Sequence, residues 1–475
     1  MHPKTLALVL LALSLLPTLG LAQKKGPLTF HAAPKPLPKG AVVEDWPRFL
    51  GMRDNATSQE TKLLKKWPQG GPKKVWELTT GEGYACPILA EGKLIYFHRL
   101  EDSDGDDPAA GSEIIDCLDP QTGKRLWRFS YPASYRDRYG FSPGPRSSPV
   151  VRQGRIYVVG VTAIFHCLDL TTGMKIWSRD LKKDYNIPQG FFGYGPTPVV
   201  WNDRIIVNVG GKAAKENESV CVIALDRKFG KTLWEVKDNW GASYASPTVT
   251  KLHGKDCALV LAAGESRPAH GGLLTIDVQT GKVYDRFPWR ANIYESVLAS
   301  SPFVLGHNQV YIGDCYQRGG VTLEFDENLK SKVVWKERFF GMHWMMPLLI
   351  DGHIYGFAGR NIPDTQFKCA NARTGEIIWE NDMRWRENGR VNSLFRASLL
   401  QADGRVFCLG EDGVLAELKL TPQGPEIIQR VRLFAARSSW TLPSLHKGLL
   451  YVSQNEFELV TKQAPRIICY DFRGE

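Results

Sequence analysis

The chain has 475 residues, 43% of them hydrophobic, with 45 glycines and 29 prolines, a composition that suits a large packed core and excludes intrinsic disorder. Lys and Arg number 60 against 50 Asp and Glu, a net charge of +10; no nucleic-acid-binding motif accompanies it, so the excess points to an anionic envelope surface or acidic ligand. Nine cysteines, an odd number, contain no C-x-x-C-H, no C-x-x-C pair and no adjacent Cys-Cys, which disfavours attached haem and structural zinc.

Residues 1–22 read as a signal peptide. Lys4 precedes an apolar run over residues 6–16, which exits through Gly20-Leu21-Ala22, the order of parts in a secretory leader. The run is shorter than the roughly 20 residues a membrane span needs, and no later segment is apolar enough. The expected product is exported, periplasmic or secreted, without a membrane span. No cysteine directly follows the expected cleavage point after Ala22, so no lipid anchor is expected. Residues 23–41, rich in Lys and Pro, read as an extended linker. Residues 42–475 read as one globular unit.

Within that unit a phrase recurs. Asp119-Pro-Gln-Thr-Gly123-Lys-Arg-Leu-Trp127 returns as Asp169-Leu-Thr-Thr-Gly173-Met-Lys-Ile-Trp177 and as Asp226-Arg-Lys-Phe-Gly230-Lys-Thr-Leu-Trp234. Weaker copies carry Asp277 and Gly281, then Trp335, then Gly375 and Trp379. A period of about 50 residues denotes an array of like supersecondary units. In the clearest copy, four short β-rich runs between residues 148 and 180 are separated by turn residues, a four-stranded meander and hence a propeller blade. Asp and Thr bond turn backbone, Gly accepts positive φ, and the closing Trp offers a large face to a neighbouring unit.

Counting first strands, from Cys86-Pro87 to Leu442-Pro443, gives eight blades. The last lacks a fourth strand, and an orphan strand around Trp76 stands before the first. Pairing the two termini closes an all-β, eight-bladed ring of antiparallel four-stranded blades and protects its edges. Cys117, Cys167, Cys369 and Cys469 share one repeat position and read as small buried hydrophobes.

The two ends of the ring differ in the sequence. First turns such as Gln153-Gly154 are tight, whereas second turns and inter-blade links are long and rich in aromatic and basic residues. Function concentrates on long loops over a rigid scaffold. The last residues of each link should ring the tunnel mouth: Arg146, Tyr194, Tyr244, Trp344, Arg396 and Trp440. Such a ring resembles an interface hot spot and could also stack on a planar ligand; equally, these rings could plug the tunnel. Arg146 and Arg396 call for water or an anion.

The acidic loop offers Asp102, Asp104, Asp106 and Glu113 at the first, third, fifth and twelfth spacings of a calcium loop. Asp107 stands where that loop requires Gly, which favours a solvated hairpin tip. His98, His166, His270, His343 and His353 are scattered over different blades without ligand spacing, which disfavours a hydrolase. His343 and His353, the closest pair, should lie at opposite ends of a blade.

The Asp-x-x-Thr-Gly-Lys-x-x-Trp copies and the entry segment Asp45-Trp-Pro-Arg-Phe-Leu-Gly51 resemble the pyrroloquinoline-quinone-like β-propeller family. Its members include quinoprotein alcohol dehydrogenases and the outer-membrane assembly lipoprotein BamB. The BamB-like resemblance implies a non-catalytic, monomeric scaffold that presents its loop face to a protein partner in the cell envelope, with no cofactor. The alternative that the same resemblance carries is a PQQ-dependent oxidoreductase of alcohols or sugars. That activity would use quinone and calcium in the tunnel, with face carboxylates such as Asp184, Asp238 and Glu295. The adjacent-cysteine disulfide of such enzymes has no counterpart here.

Overall fold

The computed structural model describes residues 27–101, 107, 109–361 and 364–474. The expected leader lies outside them.

Turn chemistry sets the blades. In seven of eight, the first and second strands are joined by two consecutive left-handed residues, including Glu91-Gly92, Gln153-Gly154, His253-Gly254, Asp351-Gly352 and Lys447-Gly448. Such a turn twists in the sense of the strands it joins. The third blade uses Asn202-Asp203, with only Asn202 left-handed. The result is eight antiparallel sheets whose innermost strands are Ile88–Ala90, Val150–Arg152, Val199–Trp201, Thr248–Leu252, Phe303–Gly306, Leu348–Ile350, Ala397–Ala402 and Ser444–His446.

The third turn couples neighbours. Asp169 Oδ1 accepts from the amides of Thr171 and Thr172 and from the Thr172 hydroxyl, at 2.8–3.0 Å. This holds the chain so that Gly173 adopts φ +73°. A Cβ on Gly173 would stand 2.6 Å from the ring of Trp127, the closing residue of the preceding blade. The Trp127 Nε1 donates to Leu170 O at 3.1 Å. The same docking recurs with Trp76 on Gly123, Trp177 on Gly230, Trp234 on Gly281 and Trp335 on Gly375, and Trp379 donates to Thr421 O at 2.9 Å. A repeated Asp, Gly and Trp therefore encode one contact: turn, bare glycine, flat ring.

An inner ring of hydrogen bonds runs between innermost strands. The amides of Cys86, Ser148, Thr197 and Ser246 each donate to the hydroxyl of Ser148, Thr197, Ser246 and Ser301 in the next blade, at 2.9–3.1 Å.

The ring closes as the sequence implies. Lys73–Thr79 pairs with Arg466–Asp471, placing Trp76 opposite Cys469. All nine cysteines are free, and the four at the shared repeat position are buried. One element departs from the linker reading: Leu28–Phe30 adds a fifth strand outside Lys73–Thr79. Leu28 packs beside Gly123 and the hydrophobic core, which gives this short segment an apolar anchor the Lys/Pro composition hides.

The entry segment also does more than lead in. Trp46 bridges to Leu89 and Pro47 O accepts from Val151 N, while Thr57 bridges to Gln401. The chain thus touches the first, second and seventh blades at their tight-turn ends. Phe49 lines the same cavity as Thr197 and Ser246 of the third and fourth blades.

Candidate functional site

Two residues before Cys86, Ser148, Thr197, Ser246, Ser301, Met346, Ser398 and Leu442, each blade presents one residue to the axis. These are Tyr84, Arg146, Gly195, Tyr244, Ala299, Trp344, Arg396 and Trp440, and all eight line a single cavity of 390 Å³. Five of the six residues expected at the tunnel mouth are therefore together. The sixth, Tyr194, is one residue out of register. It is buried beside the axis with its hydroxyl on Asn208 O at 3.0 Å. Gly195 holds the mouth position because Tyr244 fills the space; a Cβ there would stand 2.6 Å from the Tyr244 ring. Applying the common offset to every blade finds Tyr84, Gly195 and Ala299. Phe141, Phe191 and Phe192 come from the links and have no such signal.

The walls are aromatic. Ten lining residues are Phe, Tyr or Trp, and Trp440 is their hub. Tyr84 stacks on it at 5.4 Å and 22°. Trp344 and Phe141 lie at 5.8 and 5.5 Å, and the belt continues through Phe192 to Tyr244. Phe49 of the entry segment also lines this cavity, hereafter the cup.

The arginines need no outside anion, contrary to the sequence reading. Arg146 pairs with Asp137 at 2.8 Å and lies 5.6 Å over Tyr84. Arg396 pairs with Glu411 at 2.8 Å and lies 4.8 Å over Trp440, whose Nε1 donates to the same carboxylate at 2.8 Å. Arg360 lies over Tyr316, and Glu295 is the one Asp or Glu among the described lining residues. Three arginines are thus matched in number by three carboxylates, the paired Asp137 and Glu411 and the lining Glu295.

Two polar groups at the wall have no partner among the described residues: His343 Nδ1 and Trp344 Nε1. Burial first, then the charges of Arg396 and Arg360, pushes His343 down to about 3, so its ring is neutral. Its Nε2 stands 3.4 Å from the Tyr316 hydroxyl. Buried polar groups normally find partners; these two adjacent ones have none among the described residues.

Other candidates disperse. Asp102, Asp104 and Asp106 lie outside the described residues. Glu113 sits in the strand Gly111–Leu118, buried, accepting from Tyr131 Oη at 2.6 Å and Val161 N at 2.9 Å. Asp184 and Asp238 pair with Arg179 and Arg286 at 2.7 and 2.8 Å. His98 is buried between Gly81 N and Asp116, and His353 begins a strand at the tight-turn end, away from His343.

A closed ring of eight meanders joined by tryptophan docking, with an aromatic cup on the axis, defines a PQQ-repeat β-propeller. A family model described as outer membrane protein assembly factor BamB matches residues 111–381, more than half the chain, and the chain belongs to that family. It is 25% identical over 199 residues to the quinohemoprotein alcohol dehydrogenase ADH-IIG of Pseudomonas putida; the match covers 38% of this chain and 26% of that protein. Among solved structures it is similar to BamB from Moraxella catarrhalis, at 15% identity, 85% and 98% coverage of the two chains, and a TM-score of 0.52. It is also similar to the quinohemoprotein alcohol dehydrogenase of Comamonas testosteroni, at 12% identity, 91% and 81% coverage, and a TM-score of 0.60. At these identities the structural likeness concerns the fold.

The cup fits part of what a quinone requires. Its rings could stack on a planar group, but pyrroloquinoline quinone is a tricarboxylate, and two of the three arginines are already neutralised. Among the described residues no three His, Cys, Asp or Glu side chains are grouped to hold a metal ion.

Proposed function

We propose that this protein is an exported, non-catalytic binding propeller that captures an apolar or aromatic side chain of a protein partner in its axial cup. One observation carries this reading: the cup is walled by aromatic rings and balanced in charge by Asp137, Glu411 and Glu295. A charge-balanced, flat-walled pocket with Trp and Tyr at its centre and Arg at its rim has the make-up of an interface hot spot. The family description, an assembly factor of the outer membrane, supports a partner in the cell envelope, and the leader-like residues 1–22 support export to reach it.

The test pairs two experiments. Capture of a partner from envelope extract should fall by about 30-fold or more in the Trp344→Ala/Trp440→Ala double variant, the loss of a hot spot of at least ~2 kcal/mol; undiminished capture would place the interface elsewhere. Titration with pyrroloquinoline quinone and calcium, followed by tryptophan fluorescence and by dye reduction with alcohols and sugars, should show neither saturable quenching nor turnover. Substrate-dependent reduction would make the protein a quinoprotein instead.

A further inference from the structure

The loop end carries its charge unevenly. Around the eighth and first blades carboxylates crowd one another: burial first, then the charges of Glu101 and Glu456, raises the Glu82 carboxyl above its ordinary value. Around the fifth to seventh blades the excess is arginine. Arg318, Arg338, Arg386, Arg390 and Arg430 are exposed and make no ion pair among the described residues. They outnumber Glu337, Asp364 and Glu387, the accessible acids of the same loops that are also without an ion pair. Asp382, Glu411 and Asp412 are committed to Arg384, Arg396 and Arg432.

Three of these guanidinium groups rest on aromatic rings. Arg318 lies 4.4 Å over the buried Trp289, Arg338 lies 5.7 Å over Phe339, and Arg430 lies 4.9 Å over Trp385. The one hydrogen bond among them joins Arg338 Nη2 to Gln317 Oε1 at 3.5 Å. A stacked guanidinium keeps its N–H edge free and has less rotamer freedom left to lose, so it meets an oxyanion at lower entropic cost. Arg386 and Arg390 stand on a hairpin outside the blades, where Arg384–Glu387 pairs with Arg390–Ser393 about the turn Asn388-Gly389. Trp385 packs against the core, while Arg386 and its cross-strand neighbour Val391 share the opposite face. Val391 is 55% exposed, and Phe339, on the preceding link, is 67% exposed. Exposed apolar side chains set among arginines suit the boundary between lipid headgroups and acyl chains. Because the arginines come from three successive blades, an extended anionic surface can meet them together where a single small anion cannot. The apolar tip that holds Phe457 and Val460 lies instead beside Glu456, in the carboxylate sector.

We propose that the loop end of the fifth to seventh blades docks on a bilayer containing anionic lipid, with Arg318, Arg338, Arg386, Arg390 and Arg430 on headgroup phosphates and Phe339 and Val391 at the acyl boundary. The carboxylate sector then faces away from the bilayer. The docking does not depend on what the axial cup holds.

Vesicle flotation with the full mature protein tests this, comparing vesicles of phosphatidylglycerol mixed into phosphatidylcholine with vesicles of phosphatidylcholine alone. The protein should float with the first and not with the second. Salt at about 1 M, which screens charge beyond about 3 Å, should release it. Each arginine near such a surface contributes about five-fold in partition, so Arg318→Gln/Arg386→Gln should lose about 25-fold. Phe339→Ser should lose about five-fold through its apolar contact, whereas Val460→Ser, in the carboxylate sector, should lose nothing. All these positions are exposed, so thermal unfolding of the variants should match that of the parent. Equal binding to phosphatidylcholine alone, or full binding by the double arginine variant, would overturn the proposal. A loss in Val460→Ser as large as in Phe339→Ser would overturn the placement of the contact. Poly-glutamate bound as tightly as the vesicles, with Phe339→Ser without effect, would replace the bilayer with an acidic protein.

Discussion

The two ends of the ring solve the same problem in opposite ways. At the tight-turn end, one local solution is used again and again: two left-handed residues, then an Asp-braced turn whose glycine lies under a neighbour's tryptophan. Each such turn satisfies its own backbone. At the loop end, each link runs differently, and buried titratable or unpartnered groups collect: Glu113, His166, Asp314, His343 and Trp344. A repeat can specify geometry because the same conflict is resolved in blade after blade. It cannot specify a ligand, because the residues that face one differ from blade to blade.

The sharpest way to break this comparison is to put a side chain at the tight end where none fits. Gly173→Val meets the Trp127 ring at 2.6 Å and must also hold φ +73°. Overpacking and left-handed strain for a β-branched residue together should cost about 4 kcal/mol. Urea unfolding should show the midpoint falling with little change in slope. A loss near zero would mean that the docked tryptophan is not what holds adjacent blades.

This end is the legible one. Asp169, Gly173 and Trp177 read directly as a turn, a left-handed position and an apolar face, because each is dictated by backbone chemistry within nine residues. Terminal closure follows from counting strands. The cup is partly legible: Arg146, Tyr244, Trp344, Arg396 and Trp440 keep a fixed offset from each innermost strand. Tyr194 misleads because its neighbour Gly195 has no side chain to advertise the position. The ion pairs of Arg146 and Arg396 are illegible, since Asp137 and Glu411 come from loops whose course depends on tertiary packing. Phe49 is hidden for the same reason, since it lines the cavity with Thr197 and Ser246, residues so distant in the chain that sequence pattern says nothing about their contact.

Acid should expose the loop end first. His166 is 5% exposed, packs against Tyr131 at 4.3 Å and Phe129 at 5.1 Å, and has no partner for either ring nitrogen among the described residues. Burial, then the charge of Lys175, pushes it down to about 4. The folded state therefore prefers the neutral ring, and the unfolded state binds the proton more readily. Stability from this preference is fully present above the ordinary histidine value and is lost as pH falls from about 6.5 toward 4, by about 3 kcal/mol. His166→Phe should remove that slope and leave neutral-pH stability equal or higher, because a ring with two unsatisfied nitrogens is replaced by one with none. Unfolding measured across this range should show a shallower decline for the variant. An unchanged slope would move the acid sensitivity to His343, whose ring burial likewise holds neutral in the folded state.

The smallest effect separates two glycines at the same end. Gly154 and Gly173 have nearly the same backbone, φ +70° and φ +73°. A Cβ on Gly154 would meet nothing within 4 Å, whereas one on Gly173 would meet Trp127. Gly154→Ala therefore carries left-handed strain alone, about 1 kcal/mol. The amide of Gly154 keeps its bond to Glu91 Oε1 at 3.0 Å, so no hydrogen bond is lost with the substitution. Gly173→Ala has the same strain plus a clash with a ring that cannot retreat without leaving Leu170 O. The difference between the two alanine variants is then the energy with which the tryptophan reads its glycine. If they unfold at the same urea concentration, the docking is incidental, and the order at the tight end comes from turn chemistry alone.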